Sequence, residues 1–217
     1  MALLIAPHPS LLLIRHGETE WNRQGWYQGQ SDPPLSSQGQ AQALTLARHL
    51  ENSKATALIS SPLGRAQETA KAIANALALT PTIDSRLAEI SFGDWEGLPQ
   101  TEIKRRWPML LRRWKQAPDT VIFPNGESLP ALHQRVQQFL ESIASQTQWL
   151  PGPVLAVTHN AVIRVALLEA MDAPLSRFRS LHVDNAAVIA LNWRDGRYHI
   201  ESEPSTTNTG YDCGLAS

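Results

Sequence analysis

Three short apolar runs recur along the chain, at residues 11–14, 56–60 and 153–158, and each ends in polar or charged residues. A continuous apolar run of this length is typical of a strand buried on both faces, as in a parallel sheet. Alternation of such strands with helices predicts an α/β fold in which the carboxyl ends of the strands share one edge.

Apolar residues at helical spacing predict four helices. The first follows a Ser36 N-cap and continues to about Asn52, and the second begins at Ser61-Pro62. A long amphipathic helix follows Ser128, and a further helix follows Asn160. Residues 82–84 are expected to form an edge strand, and residues 186–193 and 198–201 a hairpin around Arg194-Asp195-Gly196.

Two segments depart from this pattern. The long irregular loop at residues 18–36 is expected to be functional. Residues 98–127 predict a small inserted cap with two short helices separated by Pro108. We therefore expect one domain over residues 1–217, a three-layer sandwich with a mostly parallel sheet, helices on both faces, a helical cap and a polar tail at 204–217.

Composition narrows the range of functions. The net charge of −1 over 217 residues excludes a broad electrostatic nucleic-acid surface. Cys213 is the one cysteine, so no internal disulfide can form. Residues 1–9 do not resemble a signal peptide, and no apolar run approaches membrane-spanning length. We expect a cytoplasmic protein without membrane or nucleic-acid partners; a homodimer is left open.

The residues at the three strand ends predict an anion pocket. The first strand ends in Arg15 and His16, the second in Ser60 with Arg65 one turn into the next helix, and the third in His159 and Asn160. Two guanidinium groups and a helix N-terminus match a phosphate monoester in charge and geometry. The predicted ligand is therefore a small phosphorylated metabolite.

No metal-ligand spacing accompanies this pocket, and no cofactor is predicted. The simplest chemistry is covalent, with a neutral imidazole attacking phosphorus while cations stabilise the transition state. The leaving alkoxide then needs a carboxylic acid as proton donor. Glu89, Asp94 and Glu96 are the candidates, and their spacing does not choose between them.

Four motifs together resemble the histidine phosphatase superfamily, whose members share the phosphoglycerate mutase-like fold. They are RHGET at 15–19, SSPLGRAQETA at 60–70, the acid block at 89–97 and VTH at 157–159. The resemblance implies that His16 accepts the phosphoryl group, that Arg15, Arg65 and His159 hold it, and that Glu89 is the proton donor. It also implies substrate contacts at Asn22, Gln28, Gly29 and the backbone N–H of Asn160, whereas Glu18, Glu96 and residues 125–128 are expected to be structural.

The segment between the acid block and His159 is short, which favours a phosphatase of the small bacterial type over a mutase. A phosphoglycerate mutase and a catalytically silent phospho-ligand-binding module remain the alternatives. The presence of both His16 and Glu89 disfavours the silent module, since binding needs neither a nucleophile nor an acid. Phosphoserine, phosphoglycerate, α-ribazole phosphate and sugar phosphates are not distinguished by the motifs.

Overall fold

The computed structural model describes residues 10–147 and 150–201. In these ranges one six-stranded sheet has the order β3-β2-β4-β1-β5-β6. The strands are β1 (Ser10–Arg15), β2 (Ala57–Ser60), β3 (Thr82–Ile83), β4 (Val154–Thr158), β5 (Val188–Arg194) and β6 (Arg197–Ile200). Strands β3, β2, β4 and β1 run parallel, and β5 and β6 form an antiparallel hairpin beside β1. The expected α/β class with a mostly parallel sheet is confirmed.

Seven α-helices accompany the sheet in the described ranges. They are α1 (Glu20–Gln24), α2 (Ser37–Leu50), α3 (Gly64–Leu77), α4 (Gln100–Arg106), α5 (Pro108–Gln116), α6 (Leu129–Thr147) and α7 (Asn160–Ala170). Ser36 caps α2 by accepting the N–H of Gly39, as predicted. None of these helices is long and apolar enough to cross a membrane.

The period of two along β1 divides the core into two layers. Leu12 and Ile14 are buried in a cluster with apolar residues of α2 and α3. Leu11 and Leu13 face the opposite side and join the cluster that contains α6 and α7. Side chains alternate across a strand, so one apolar run serves both helical layers.

The structure departs from the prediction at the start of one helix and within the first loop. Helix α3 begins at Gly64, with Leu63 at its N-cap, and not at Ser61-Pro62. The prediction was wrong because the Ser61 hydroxyl accepts the N–H of Leu63 at 3.3 Å within the turn before the helix. The loop at 18–36 also contains α1, whose Thr19 and Asn22 form a reciprocal cap that we did not predict.

The segment predicted as a cap contains α4 and α5, separated at Pro108 as expected. Ile103, Leu111 and Trp114 are buried in the same cluster as α6 and α7, so these helices share the main core. Trp114 contacts the rings of Phe123 and Phe178 at 5.0 and 5.6 Å between centroids. The predictions for residues 1–9, for the tail at 204–217 and for Cys213 lie outside the described residues.

Two glycines bring α2 against the turn that follows β1. A Cβ on Gly17 would collide with the carbonyl oxygen of Gly39, and a Cβ on Gly39 with the carbonyl oxygen of Glu18. The first turn of α2 therefore approaches the backbone beside His16 more closely than any side chain allows.

The substitution Gly39→Ala tests this contact. We expect it to lower the free energy of unfolding by about 1–3 kcal/mol, because the added methyl group overpacks a backbone contact. The better helix propensity of alanine opposes this loss by about 1 kcal/mol at most. Denaturant unfolding measures the difference, with Gln40→Ala, at the exposed next position of α2, as the control. Equal stability of the two variants would contradict the contact.

Candidate active site

The carboxyl ends of β1, β4 and β2 lie side by side in the sheet. Arg15 is opposite Thr158, and Ser60 is opposite Val157, in the parallel register. His16 and His159 follow these strands directly, and their ring centroids lie 5.0 Å apart. The structure thus brings the predicted strand ends together at one edge of the sheet.

The hydrogen bonds of His16 define its tautomer. Because the carbonyl of Gly17 can only accept, Nδ1 of His16 is protonated and donates to it at 2.6 Å. Nε2 accepts from Nε of Arg65 at 3.3 Å, so the lone pair lies on Nε2. Burial, followed by the charges of Arg65 and Arg15, holds the pKa of His16 well below its ordinary value. The ring is therefore neutral near pH 7, with its nucleophilic nitrogen facing a cation.

Arg65 is held by the loop at residues 29–32. Its guanidinium donates to the carbonyl oxygens of Gly29 at 2.7 Å and Ser31 at 2.8 Å, and to Asp32 at 3.3 Å. Asp32 also accepts the backbone N–H of Gly64 at the start of α3. Glu96 in turn accepts the N–H groups of residues 30 and 31, which confirms the structural role expected for Glu96.

His159 has one ring nitrogen engaged and one without a partner. Its Nε2 lies 2.7 Å from the hydroxyl of Ser61, and its buried Nδ1 has no hydrogen-bond partner among the described residues. The Ser61 oxygen already accepts the N–H of Leu63, so its own proton is available for Nε2. This arrangement leaves Nδ1 protonated, as a free donor. Burial and the charge of Arg65 lower the pKa of His159.

Glu89 lies at the N-terminus of α7. Its Oε1 accepts the backbone N–H of Ile90 at 3.0 Å and of Ala161 at 3.2 Å. Burial raises the pKa of Glu89 above its ordinary value, and the Ile90 hydrogen bond and the charge of Arg65 oppose that rise. A buried carboxyl group with a raised pKa can donate a proton closer to neutral pH than a solvated one.

Of the remaining predicted residues, Arg15, Asn22 and Gln28 form hydrogen bonds within the protein. Arg15 donates to the carbonyl of Val183 at 2.6 Å. The Asn22 side chain accepts from the N–H of Thr19, and Gln28 accepts from the hydroxyl of Thr19 at 3.0 Å. The predicted substrate contacts of Asn22, Gln28, Gly29 and Asn160 stay predictions. Glu18, expected to be structural, accepts the Ser36 hydroxyl at 2.8 Å.

Several residues at the site carried no local sequence signal. Asn185 donates to the carbonyl of His16 at 3.3 Å and to Asn22 at 3.1 Å. Asp32 contacts Arg65, and the Ser61 hydroxyl contacts His159. Of these residues, only Ser61 lies within one of the four motifs, SSPLGRAQETA at 60–70, and that position could have indicated a role. Among the described residues, no three His, Cys, Asp or Glu side chains are grouped to hold a metal ion.

Known proteins share both the sequence and the fold. The family model of the histidine phosphatase superfamily (branch 1) matches residues 11–204. The chain is 37% identical to "Phosphoserine phosphatase 1" of Hydrogenobacter thermophilus, over 86% of this chain and 88% of that one. It is 38% identical to the "Bifunctional protein Rv2228c" of Mycobacterium tuberculosis over 93% of its length, and spans about half (54%) of that protein.

Solved structures agree with the sequence relatives. Bacillus stearothermophilus YhfR has a TM-score of 0.84 at 32% identity, and the match covers 90% of this chain and 96% of that one. The structure of "Alpha-ribazole Phosphatase from Shigella flexneri" has a TM-score of 0.80 at 28% identity, covering 88% and 94%.

The substitution Ser61→Ala tests the hydrogen bond to His159. Removing the hydroxyl should leave the ring free to exchange between its two neutral tautomers. We expect ¹⁵N NMR of the parent to show protonated Nδ1 and unprotonated Nε2, and of the variant to show averaged shifts. Ser60→Ala is the control, because the Ser60 hydroxyl is equally buried and donates to the Ser61 carbonyl instead. Unchanged ¹⁵N shifts in Ser61→Ala would show that another group sets the tautomer.

Proposed function

Because the chain belongs to the histidine phosphatase superfamily and is a phosphoric monoester hydrolase, we propose that it hydrolyses a small-metabolite phosphate monoester through a phosphohistidine on His16. The observation that carries this proposal is the lone pair on Nε2 of His16, which lies beside Arg65 in a ring kept neutral by burial and charge. A nucleophile of this kind needs no metal-activated water, so we further propose a metal-independent reaction.

In the first step Nε2 of His16 attacks phosphorus, and the bond from phosphorus to the ester oxygen breaks. Glu89 gives its proton to the departing oxygen, so the alcohol leaves neutral. Arg15, Arg65 and Nδ1–H of His159 stabilise the charge on the other phosphoryl oxygens. The orphaned Nδ1 of His159 supports this role, since it offers a donor that nothing else in the described structure uses.

In the second step the Glu89 carboxylate accepts a proton from water. The water oxygen attacks phosphorus, the phosphorus–nitrogen bond breaks, and inorganic phosphate leaves. His16 returns to its neutral form with the lone pair on Nε2. Each step conserves protons, because Glu89 gives one and later regains one.

Two alternatives make different demands on this site. A phosphoglycerate mutase must keep the phosphoenzyme long enough for product exchange, and a bisphosphate primer should then restore its activity. A silent binding module would need neither the Nε2 lone pair nor the acid. The compact segment between Glu89 and His159, with α4, α5 and α6, supports the phosphatase. A screen of phosphoserine, 3-phosphoglycerate, α-ribazole phosphate and sugar phosphates separates the substrates.

The substitution His16→Ala tests the nucleophile. We expect kcat to fall by on the order of 10⁴ or more, because no other group can form the covalent intermediate. The parent, quenched during turnover of ³²P-labelled substrate, should carry an acid-labile, base-stable label that the variant lacks. His133→Ala is the control, since that ring pairs with Glu169 outside the pocket. Activity of His16→Ala near that of the parent would refute the proposal, and loss of parent activity in EDTA would refute metal independence.

The substitution Glu89→Gln tests the acid. We expect kcat to fall by about 10²–10⁴ for poor leaving groups and far less for p-nitrophenol, which leaves without a proton. In the parent, kcat should fall as pH rises through the raised pKa of Glu89, and this limb should vanish in the variant. Asp94→Asn is the matched control from the same motif, as Asp94 is exposed and bonds to Asn125. Equal slowing of all leaving groups would remove Glu89 from this role.

A further inference from the structure

Arg164 and Arg179 form no ion pair with a carboxylate among the described residues. Arg164 is half-buried on α7, and its guanidinium donates to the carbonyl of Phe178 at 2.9 Å and lies 4.0 Å from the centre of the Phe178 ring. Arg179 directly follows Phe178, in the 3-10 helix Leu175–Ser180. Burial and the neighbouring charge of Arg179 lower the pKa of Arg164 to about 10.

Other part-buried arginines of the described chain are paired. Arg86 pairs with Asp84, and Arg135 pairs with Glu127. Across residues 10–147 and 150–201 no carboxylate forms an ion pair with Arg164 or Arg179. Two like charges that repel each other and form no ion pair are unfavourable when partly removed from water. An anion placed between them would relieve that repulsion.

The position of Arg164 on α7 relates it to Glu89, the proposed proton donor to the leaving group. The backbone N–H of Ala161 donates to Glu89 at the start of α7, and Arg164 lies three residues further along that helix. The charge of Glu89 acts on Arg164 and supports this proximity. Because the proposed acid must contact the ester oxygen, groups beyond it face the alcohol part of the substrate and not the phosphoryl group.

A chain of contacting aromatic rings leads from Phe178 to Tyr27. Phe178 contacts Trp114, which contacts Phe92 at 6.1 Å, and Phe92 contacts Tyr27 at 5.0 Å. Tyr27 and Phe92 are partly exposed. The charge of Arg179 acts on the hydroxyl of Tyr27, so Arg179 lies near that end of the chain of rings. The two cations thus lie beside this chain of aromatic rings.

We propose that Arg164 and Arg179 bind a second anionic group of the substrate, carried on the alcohol that leaves. This inference rests on the proposed phosphatase function and narrows its substrate class to phosphate monoesters whose alcohol bears a carboxylate or a second phosphoryl group. Arg164 is fixed by Phe178 and provides a preformed charge, and Arg179 completes the site. Neither arginine takes part in bond breaking.

The test uses substrate pairs that differ mainly in the second group. 3-Phosphoglycerate and glycerol 3-phosphate differ by a carboxylate, and fructose 1,6-bisphosphate and fructose 6-phosphate differ by a phosphoryl group. We expect the parent to prefer the anionic member of at least one pair by about 10- to 100-fold in kcat/KM, the range for a charge-assisted contact. The substrate pair that shows the preference identifies the second anionic group as a carboxylate or a phosphoryl group.

Arg179→Ala should remove most of this preference through a higher KM, with kcat for the anionic substrate little changed, because the contact is equal in ground and transition states. Arg179→Glu should go further and favour phosphoethanolamine, whose alcohol is cationic. Arg177→Ala is the control, because Arg177 is exposed in the same 3-10 helix. Arg164 is the poorer target, since its contact with Phe178 also packs α7.

The outcomes separate this inference from the proposed function. If p-nitrophenyl phosphate labels His16 but the parent prefers neither anionic substrate, the second anion site is wrong and the phosphatase stands. Equal losses for anionic and neutral substrates in Arg179→Ala, or the same change in Arg177→Ala, would also overturn the site. If no phosphate ester labels His16, the proposed function itself fails.

Discussion

The contact between Nε–H of Arg65 and Nε2 of His16 determines what the pocket can do. It requires a lone pair on Nε2, so it is compatible only with a neutral ring whose proton is on Nδ1. A solvated histidine is partly protonated near neutral pH and offers that lone pair only part of the time. Here burial and the charges of Arg65 and Arg15 lower the pKa of His16 and keep the ring neutral. The rest of the site serves to keep the cation and the imidazole in this arrangement.

Arg65 depends in turn on groups that never touch His16. Its side chain is 1% exposed and is held largely by backbone carbonyls of the loop at 29–32. Glu96 fixes that loop by accepting N–H groups of residues 30 and 31. A carboxylate that does not contact the nucleophile therefore helps to hold the cation beside it. Since a guanidinium has five donors in a rigid fork, displacement of these carbonyls would leave buried N–H groups unpaired.

The sequence predicted the residues that lie on or just after regular elements. His16, Arg65 and His159 follow buried strands or begin a helix, and parallel strands bring such positions to one edge. The close contact of Gly17 was not predicted, Ser61 was placed in the following helix, and Arg164 was given no role. Their partners are the Gly39 carbonyl, His159 and the Phe178 carbonyl, which are distant along the chain. A backbone carbonyl has no identity in the sequence, so periodicity cannot show which side chain will reach it.

The charges around Glu89 also explain how a protonated Glu89 and a neutral His16, both required by the reaction, coexist. The pocket has several arginines in a chain of net charge −1, and burial, together with repulsion from neighbouring arginines, lowers the pKa of Arg164. A bound phosphate dianion relieves this repulsion and raises the pKa of every nearby group. For Glu89 that change favours the protonated acid, which the departing oxygen needs. For His16 the same change favours protonation, which would abolish attack. The Arg65 Nε–H opposes it, because a proton on Nε2 would face another donor at 3.3 Å. The same anion can therefore protonate the acid while the nucleophile stays neutral.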